Sequence, residues 1–230
     1  MAIKPILFNG EMVRAILSGE KSCTRRLAKF PEGQIGRLPE CGATDYLFYP
    51  GGIKRPPYQI GDILYVRETW CKYGDLDDGG RLIEGTEKYY YRADSENPTP
   101  YNCFLNERDE YKDYPEWKPS IHMPREAARI WLKVKKVRAE RLQEITNEEA
   151  KAEGANFKNG KNVGFEEKMR RTAIERFAEI WDGTVKKSDI CKYGWNANPW
   201  VWVIEFEPYA QPDLLEAKGR TGGQSNGIFA

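Results

Sequence analysis

The sequence predicts a mainly antiparallel α+β domain or small barrel. Three observations point there. Strand-like runs at 62–70 (DILYVRETW), 129–138 (RIWLKVKKVR) and 200–206 (WVWVIEF) are separated by long irregular stretches. No alternating βαβ run appears, which argues against a doubly wound parallel sheet. No internal repeat is present, which argues against a solenoid or propeller.

In chain order, residues 3–8 (IKPILF) read as a short strand. Residues 11–18 place Met12, Ala15 and Ile16 at helical spacing, and Gly19 is a natural stop after them. A polar turn, GEKSCTRRL, leads into an extended segment. Residues 29–60 hold five prolines and five glycines, so they read as a surface loop. After the strand at 62–70, residues 81–92 read as a hairpin with Gly85 near its turn. Residues 93–120 are proline-rich and acidic. In 129–138, Ile130, Leu132 and Val134 share one face and Arg129, Trp131, Lys133 and Lys135 the other. Thr146 and Glu149 form a capping box for a helix over 146–153, ended by Gly154. Phe165, Met169, Ala173, Phe177 and Ile180–Trp181 make the apolar stripe of a helix over 165–181, expected to pack on the sheet. Residues 210–230 read as a tail.

Length and composition restrict the chemistry. The chain has 230 residues, enough for one large domain with a core. Lys+Arg 36 against Asp+Glu 35 gives a net charge of +1, so a globally basic nucleic-acid coat is excluded while a local basic face is not. One histidine, His122, precludes any site of two or three imidazoles; it reads as a single hydrogen-bonding residue. Five scattered cysteines without a CxxC point to free thiols in a reducing compartment. No apolar run is long enough to span a membrane, and no leader pattern opens the chain, so a cytoplasmic location is expected. There is neither a GxxxxGK[ST] nor a GxGxxG motif.

Two segments carry candidate chemistry. Lys21, Ser22, Cys23, Thr24, Arg25 and Arg26 follow a helix end. A threonine hydroxyl needs a neighbouring base, and a lysine serves as one when burial or adjacent cations lower its pKa. Arg25 and Arg26 supply cations and can grip a phosphate. A solvated basic turn is the plainer reading of the same residues. Residues 125–141 carry seven basic and two acidic side chains, with Trp117 and Trp131 close by. They read either as a nucleic-acid face or as a strand of snorkelling side chains. Cys23 lacks a histidine to activate it.

At these residues the chain resembles the ASCH domain family, a branch of the PUA-like fold. KPILF-x3-MVRAILSGEKSCTRR resembles the family's N-terminal signature, IGDILYVRETW its Gly-Asp-x-Leu-x-Val-Arg-Glu strand, and WVWVIEF its closing strand. WKPSIHMPREAARIWLKVKKVRAERLQEIT resembles the phage-encoded subgroup. The resemblance implies a curved, mostly antiparallel barrel of five to six strands over residues 1–209, with flanking helices. Two insertions, at about 29–58 and 73–116, interrupt it, and the proline-rich 29–58 and acidic 94–116 segments are expected over or beside the pocket mouth.

The family includes bacterial amidohydrolases acting on N(4)-acetylcytidine, and other members are ribonucleases or RNA-binding modules. The resemblance implies Lys21, Thr24 and Glu153 as the catalytic set, Glu153 falling in ITNEEAKAE. It implies Arg25, Arg26, Arg67, Glu68, Trp117, Ser120, Met123 and Arg125 as substrate-binding residues. The expected partner is a modified nucleoside, RNA or DNA. No metal, cofactor, membrane or obligate protein partner is expected. A non-catalytic RNA- or DNA-binding module and a ribonuclease remain as alternatives.

Overall fold

A computed structural model describes residues 1–40, 45–75, 77, 83–94, 117–155 and 172–212. The chain is α+β. Five strands form one mixed sheet: β1 (Ile3–Leu7), β2 (Cys23–Leu27), β5 (Ile63–Arg67), β8 (Trp131–Arg141) and β9 (Trp200–Tyr209), in the order β1-β5-β8-β9-β2. The β1–β5 pair is parallel and the other three pairs are antiparallel. The three expected strands are therefore neighbours at the centre. β1 and β2 are the edges, and among the described residues no ladder joins them, so the sheet is not closed into a barrel. One side chain crosses between the edges: Arg26 Nη2 donates to Leu7 O at 2.8 Å.

Alternation along the strands divides the core. Trp202, Ile204 and Phe206 of β9 share one face with Leu64 and Val66 of β5, and α1 (Gly10–Leu17) covers that face with Val13 and Ile16. Val201 and Val203 point the opposite way and meet α2 (Asn147–Ala152) and α3 (Ala173–Thr184) through Ala150, Phe177 and Trp181. A smaller cluster joins Ile63, Tyr65 and Trp131 to Met123, Ala127 and Ala128.

The structure corrects several sequence expectations. β8 carries a bulge at Lys135, which moves the inward set from Leu132 and Val134 to Val137 and Ala139 and extends the strand to Arg141. The stretch 62–70 is two strands, since β5 ends at Arg67 and β6 (Trp70–Tyr73) starts a separate ribbon. The partner of β6 is β7 (Lys88–Tyr91), so the hairpin is not internal to 81–92. The 29–60 loop contains a small hairpin, β3 (Leu47–Tyr49) with β4 (Gly52–Lys54), and Leu47 is fully buried in the main core. Helix α3 starts from a capping box of Thr172 and Glu175; the first residues of the expected 165–181 helix lie outside the described residues. The last helix, α4 (Ile190–Tyr193), is a single turn. Most of the acidic 94–116 insertion and of the tail also lies outside them.

Trp202 sits on β9 in the middle of the main core and is 2 % exposed. Truncation removes a large side chain from a site that cannot collapse around it. Trp202→Ala is expected to lower unfolding free energy by about 3–5 kcal/mol, read as a shifted urea midpoint; a change under about 1 kcal/mol would place Trp202 outside the core.

Candidate functional site

Two helix ends make the site. Helix α1 finishes in a Schellman motif, with Gly19 N donating to Ile16 O and Glu20 N to Ala15 O, and Gly19 at φ 75°. Helix α2 finishes the same way through Gly154 N to Lys151 O and Ala155 N to Ala150 O. Gly154 has φ 86°, and a Cβ there would stand 3.0 Å from the Ala15 Cβ and 3.6 Å from the Lys21 Cβ. Only glycine lets the two helix ends approach this closely. Lys21 follows the first end and Glu153 caps the second, and their backbones pair as an isolated bridge.

Their side chains meet. Lys21 Nζ donates to Glu153 Oε2 at 2.7 Å and to Glu153 O at 2.8 Å, across 132 residues of sequence. The Lys21 side chain is 0 % exposed and that of Glu153 4 %. The second carboxylate oxygen of Glu153 accepts from Arg25 Nη1 at 3.3 Å. Arg25, also 0 % exposed, donates to Glu140 Oε1 from Nε at 3.0 Å and from Nη2 at 2.5 Å, and to Glu149 Oε2 at 2.8 Å. Arg138 ties the same glutamates from outside, bonding Glu140, Glu149 and Glu205. Burial opposes the charge on Arg25, but Glu153 and Glu140 outweigh it and lift its pKa. Phe177 of α3 lies 5.7 Å from its guanidinium.

Alternation along β2 then separates the expected residues. Cys23 and Arg25 face α2 and α3, whereas Thr24 and Arg26 face the main core. Thr24 is 3 % exposed. Arg26 and Lys21 share the Phe8 ring, at 5.2 and 5.6 Å from its centroid. Arg26 Nε is shielded without a hydrogen-bond partner among the described residues, and burial lowers the pKa of this guanidinium. Tyr58, from the first insertion, lies near Arg26 and donates its hydroxyl to Pro5 O at 2.9 Å. That places the end of the 29–58 segment beside Arg26. A small cavity of about 30 Å³ reaches Glu153 and Gly154 between Met12, Ala15, Arg176 and Ile180, room for a water but not for a nucleoside.

The remaining expected residues gather elsewhere. Arg67 Nη1 donates to Ile121 O at 3.2 Å, and the buried Met123 Sδ accepts from Glu68 N at 3.2 Å. Glu68 is held bidentately by Arg129 at 2.9 and 3.0 Å, while burial pushes its carboxyl up. Arg125 lies 5.4 Å from the Trp131 ring. Ser120 opens a short 3-10 turn, and Trp117, half-buried, precedes the Trp70–Lys118 bridge. Among the described residues no side-chain hydrogen bond or ion pair joins this group to Lys21 or Glu153.

Sequence reasoning missed Glu140, Glu149 and Arg138. The first two were visible only as a strand residue and a capping-box residue, and Arg138 as one member of a basic run. Comparison with known protein families, curated proteins and solved structures finds no match for the chain. Among the described residues no three His, Cys, Asp or Glu side chains group as metal ligands, and no helix is long and apolar enough to cross a membrane.

Burial raises Cys23 from an ordinary 9.0 to about 12, with Glu153 adding to the effect, and raises Cys71 to about 11. Iodoacetamide at pH 8 is therefore expected to label exposed Cys191 and to spare Cys23 and Cys71, as peptide mass spectrometry would show. A thiol that ionises more easily unfolded than folded favours folding below the unfolded pKa and loses that advantage as pH rises through the folded one. Stability should therefore fall between pH 9 and 12, with a shallower fall in Cys23→Ala. An identical pH profile in Cys23→Ala would contradict the burial of this thiol.

Proposed function

We propose that the chain is an ASCH-like, PUA-type protein that binds a modified pyrimidine nucleoside and hydrolyses an exocyclic acyl amide such as that of N(4)-acetylcytidine. The observation that supports this reading is the Lys21–Glu153 contact at 2.7 Å, made inside the protein by the two residues that the resemblance implies as catalytic. Thr24 stands three residues after Lys21, on β2, and is buried.

The contact also sets the division of labour. Lys21 Nζ already donates to both the carboxylate and the carbonyl of Glu153, so Lys21 serves as a hydrogen-bond donor rather than as the base. Once the packing of the α1 and α2 ends opens to admit the acyl group, Glu153 takes a proton from a water molecule, and the hydroxide adds to the acyl carbon. The carbonyl electron pair moves onto oxygen, where the Lys21 ammonium balances it. The C–N bond then breaks, and the leaving exocyclic nitrogen takes the proton from Glu153. The oxyanion collapses to a carboxylic acid, which gives its proton to solvent, and the products are a carboxylate and the amino-pyrimidine. Arg26, with its free Nε beside the same Phe8 ring, is the side chain left to hold the substrate. Arg25 holds Glu153 in place.

Acetate release from N(4)-acetylcytidine is the direct assay. Glu153→Gln and Lys21→Ala are each expected to lose about 10²–10⁴ in kcat with the fold kept. Thr24→Ala separates two routes. Attack by water predicts a modest loss, whereas a covalent acyl-threonine predicts a loss as large as that of Glu153→Gln. No release by the wild type across a panel of acylated nucleosides, with tight binding of one of them, would replace the hydrolase reading by the binding module.

A further inference from the structure

A second group of cations lies away from the Lys21–Glu153 pair. Tyr65 on β5 and Trp131 on β8 are register partners on neighbouring strands, with ring centroids 5.9 Å apart. Arg67 lies 5.4 Å from the Tyr65 ring and Arg125 lies 5.4 Å from the Trp131 ring, so two guanidiniums flank one cross-strand aromatic pair. Three of their nitrogens, Arg67 Nε, Arg125 Nε and Arg125 Nη2, are shielded from solvent and have no hydrogen-bond partner among the described residues. Trp70 Nε1, in the same apolar cluster, is a fourth such donor, and Lys118 Nζ stands 5.2 Å from the Trp70 ring.

The nearby acceptors are already engaged. Glu68 and Asp94 both bond Arg129, and the exposed Glu126 accepts from the Tyr89 hydroxyl at 3.5 Å. Among the described residues neither Arg67 nor Arg125 takes part in an ion pair. Buried N–H donors without acceptors are rare in folded proteins and call for an explanation such as a water or an ion. A group of donors, at least two of them permanently cationic, calls for an anion in particular. Guanidiniums offer planar forks that match phosphate oxygens, and packing against rings holds the fork in place.

We propose that Arg67 and Arg125 form a phosphate-binding site beside the Tyr65–Trp131 pair. Arg138 makes the contrast, since its guanidinium is already paired with three glutamates. The phosphate belongs either to a mononucleotide or to the backbone of a single-stranded nucleic acid, and both present the same oxygens. The site depends on its own donors and not on hydrolysis.

The experiment is calorimetric titration with inorganic phosphate, cytidine, cytidine 5′-monophosphate and an eight-nucleotide cytidylate strand, with no turnover required. The wild type should bind the monophosphate at least tenfold tighter than cytidine. Arg67→Gln/Arg125→Gln, its fold checked by circular dichroism, should erase that difference. Arg125→Lys should lose less, because the charge stays while the fork goes. A backbone source would make the strand the tightest ligand, with an affinity falling with salt by about 0.7 in logarithmic slope per phosphate bound. A mononucleotide source would leave the strand no tighter than the monophosphate. Equal affinity for cytidine and its monophosphate with no gain for the strand, or a double variant that binds like the wild type, would overturn the proposal.

Discussion

A buried guanidinium has to be satisfied, and Arg25 is the one around which this structure is arranged. Its side chain is 0 % exposed, and its acceptors come from three places: Glu140 on β8, Glu149 inside α2 and Glu153 at the α2 C-cap. Removing any one would leave charge in a poorly solvated interior, which costs far more than an exposed pair is worth. The network therefore fixes where α2 sits relative to β2 and β8. It also holds Glu153 against Lys21, and the close packing of Gly154 on Ala15 brings in α1.

The same network explains the contrast between the two faces of β2. One face spends its polar groups on itself: Arg25 and Arg138 share Glu140 and Glu149, with Glu153 and Glu205 closing the set. The depression above it, about 300 Å³ and lined by Ser22, Arg138, Glu149 and Glu205, offers paired charges. The other face carries Thr24 and an Arg26 that, among the described residues, has only the Leu7 carbonyl as a hydrogen-bond acceptor. Unused donors mark where a ligand gains most. Arg26 is such a point near the Lys21–Glu153 pair, and Arg67 with Arg125 are such points beyond it.

Much of the scaffold was legible. Period-two alternation located β5 and β8, a β-branched and aromatic run located β9, and the Thr146–Glu149 box located α2. The Thr172–Glu175 box was equally readable and marks where α3 begins, although the apolar stripe drew attention to earlier residues. The bulge at Lys135 was not legible, because one extra residue changes the phase without changing the composition. The β6–β7 pairing was hidden by the long stretch between Tyr73 and Lys88. Lys21 and Glu153 stood out through a resemblance, not through chemistry readable from a turn and a helix end. Glu140 and Arg138 gave no signal, because an acidic and a basic residue two apart on a strand look like any solvated edge.

The most direct check is a double-mutant cycle between Lys21→Met and Glu153→Gln, read by denaturant unfolding. If the pair is a buried, mutually compensating contact, each single change should cost about 3–5 kcal/mol. The double variant should then cost well below the sum, with a coupling of about 1–3 kcal/mol. Additive effects, or single changes within about 0.5 kcal/mol of the wild type, would contradict the account that this contact organises the site.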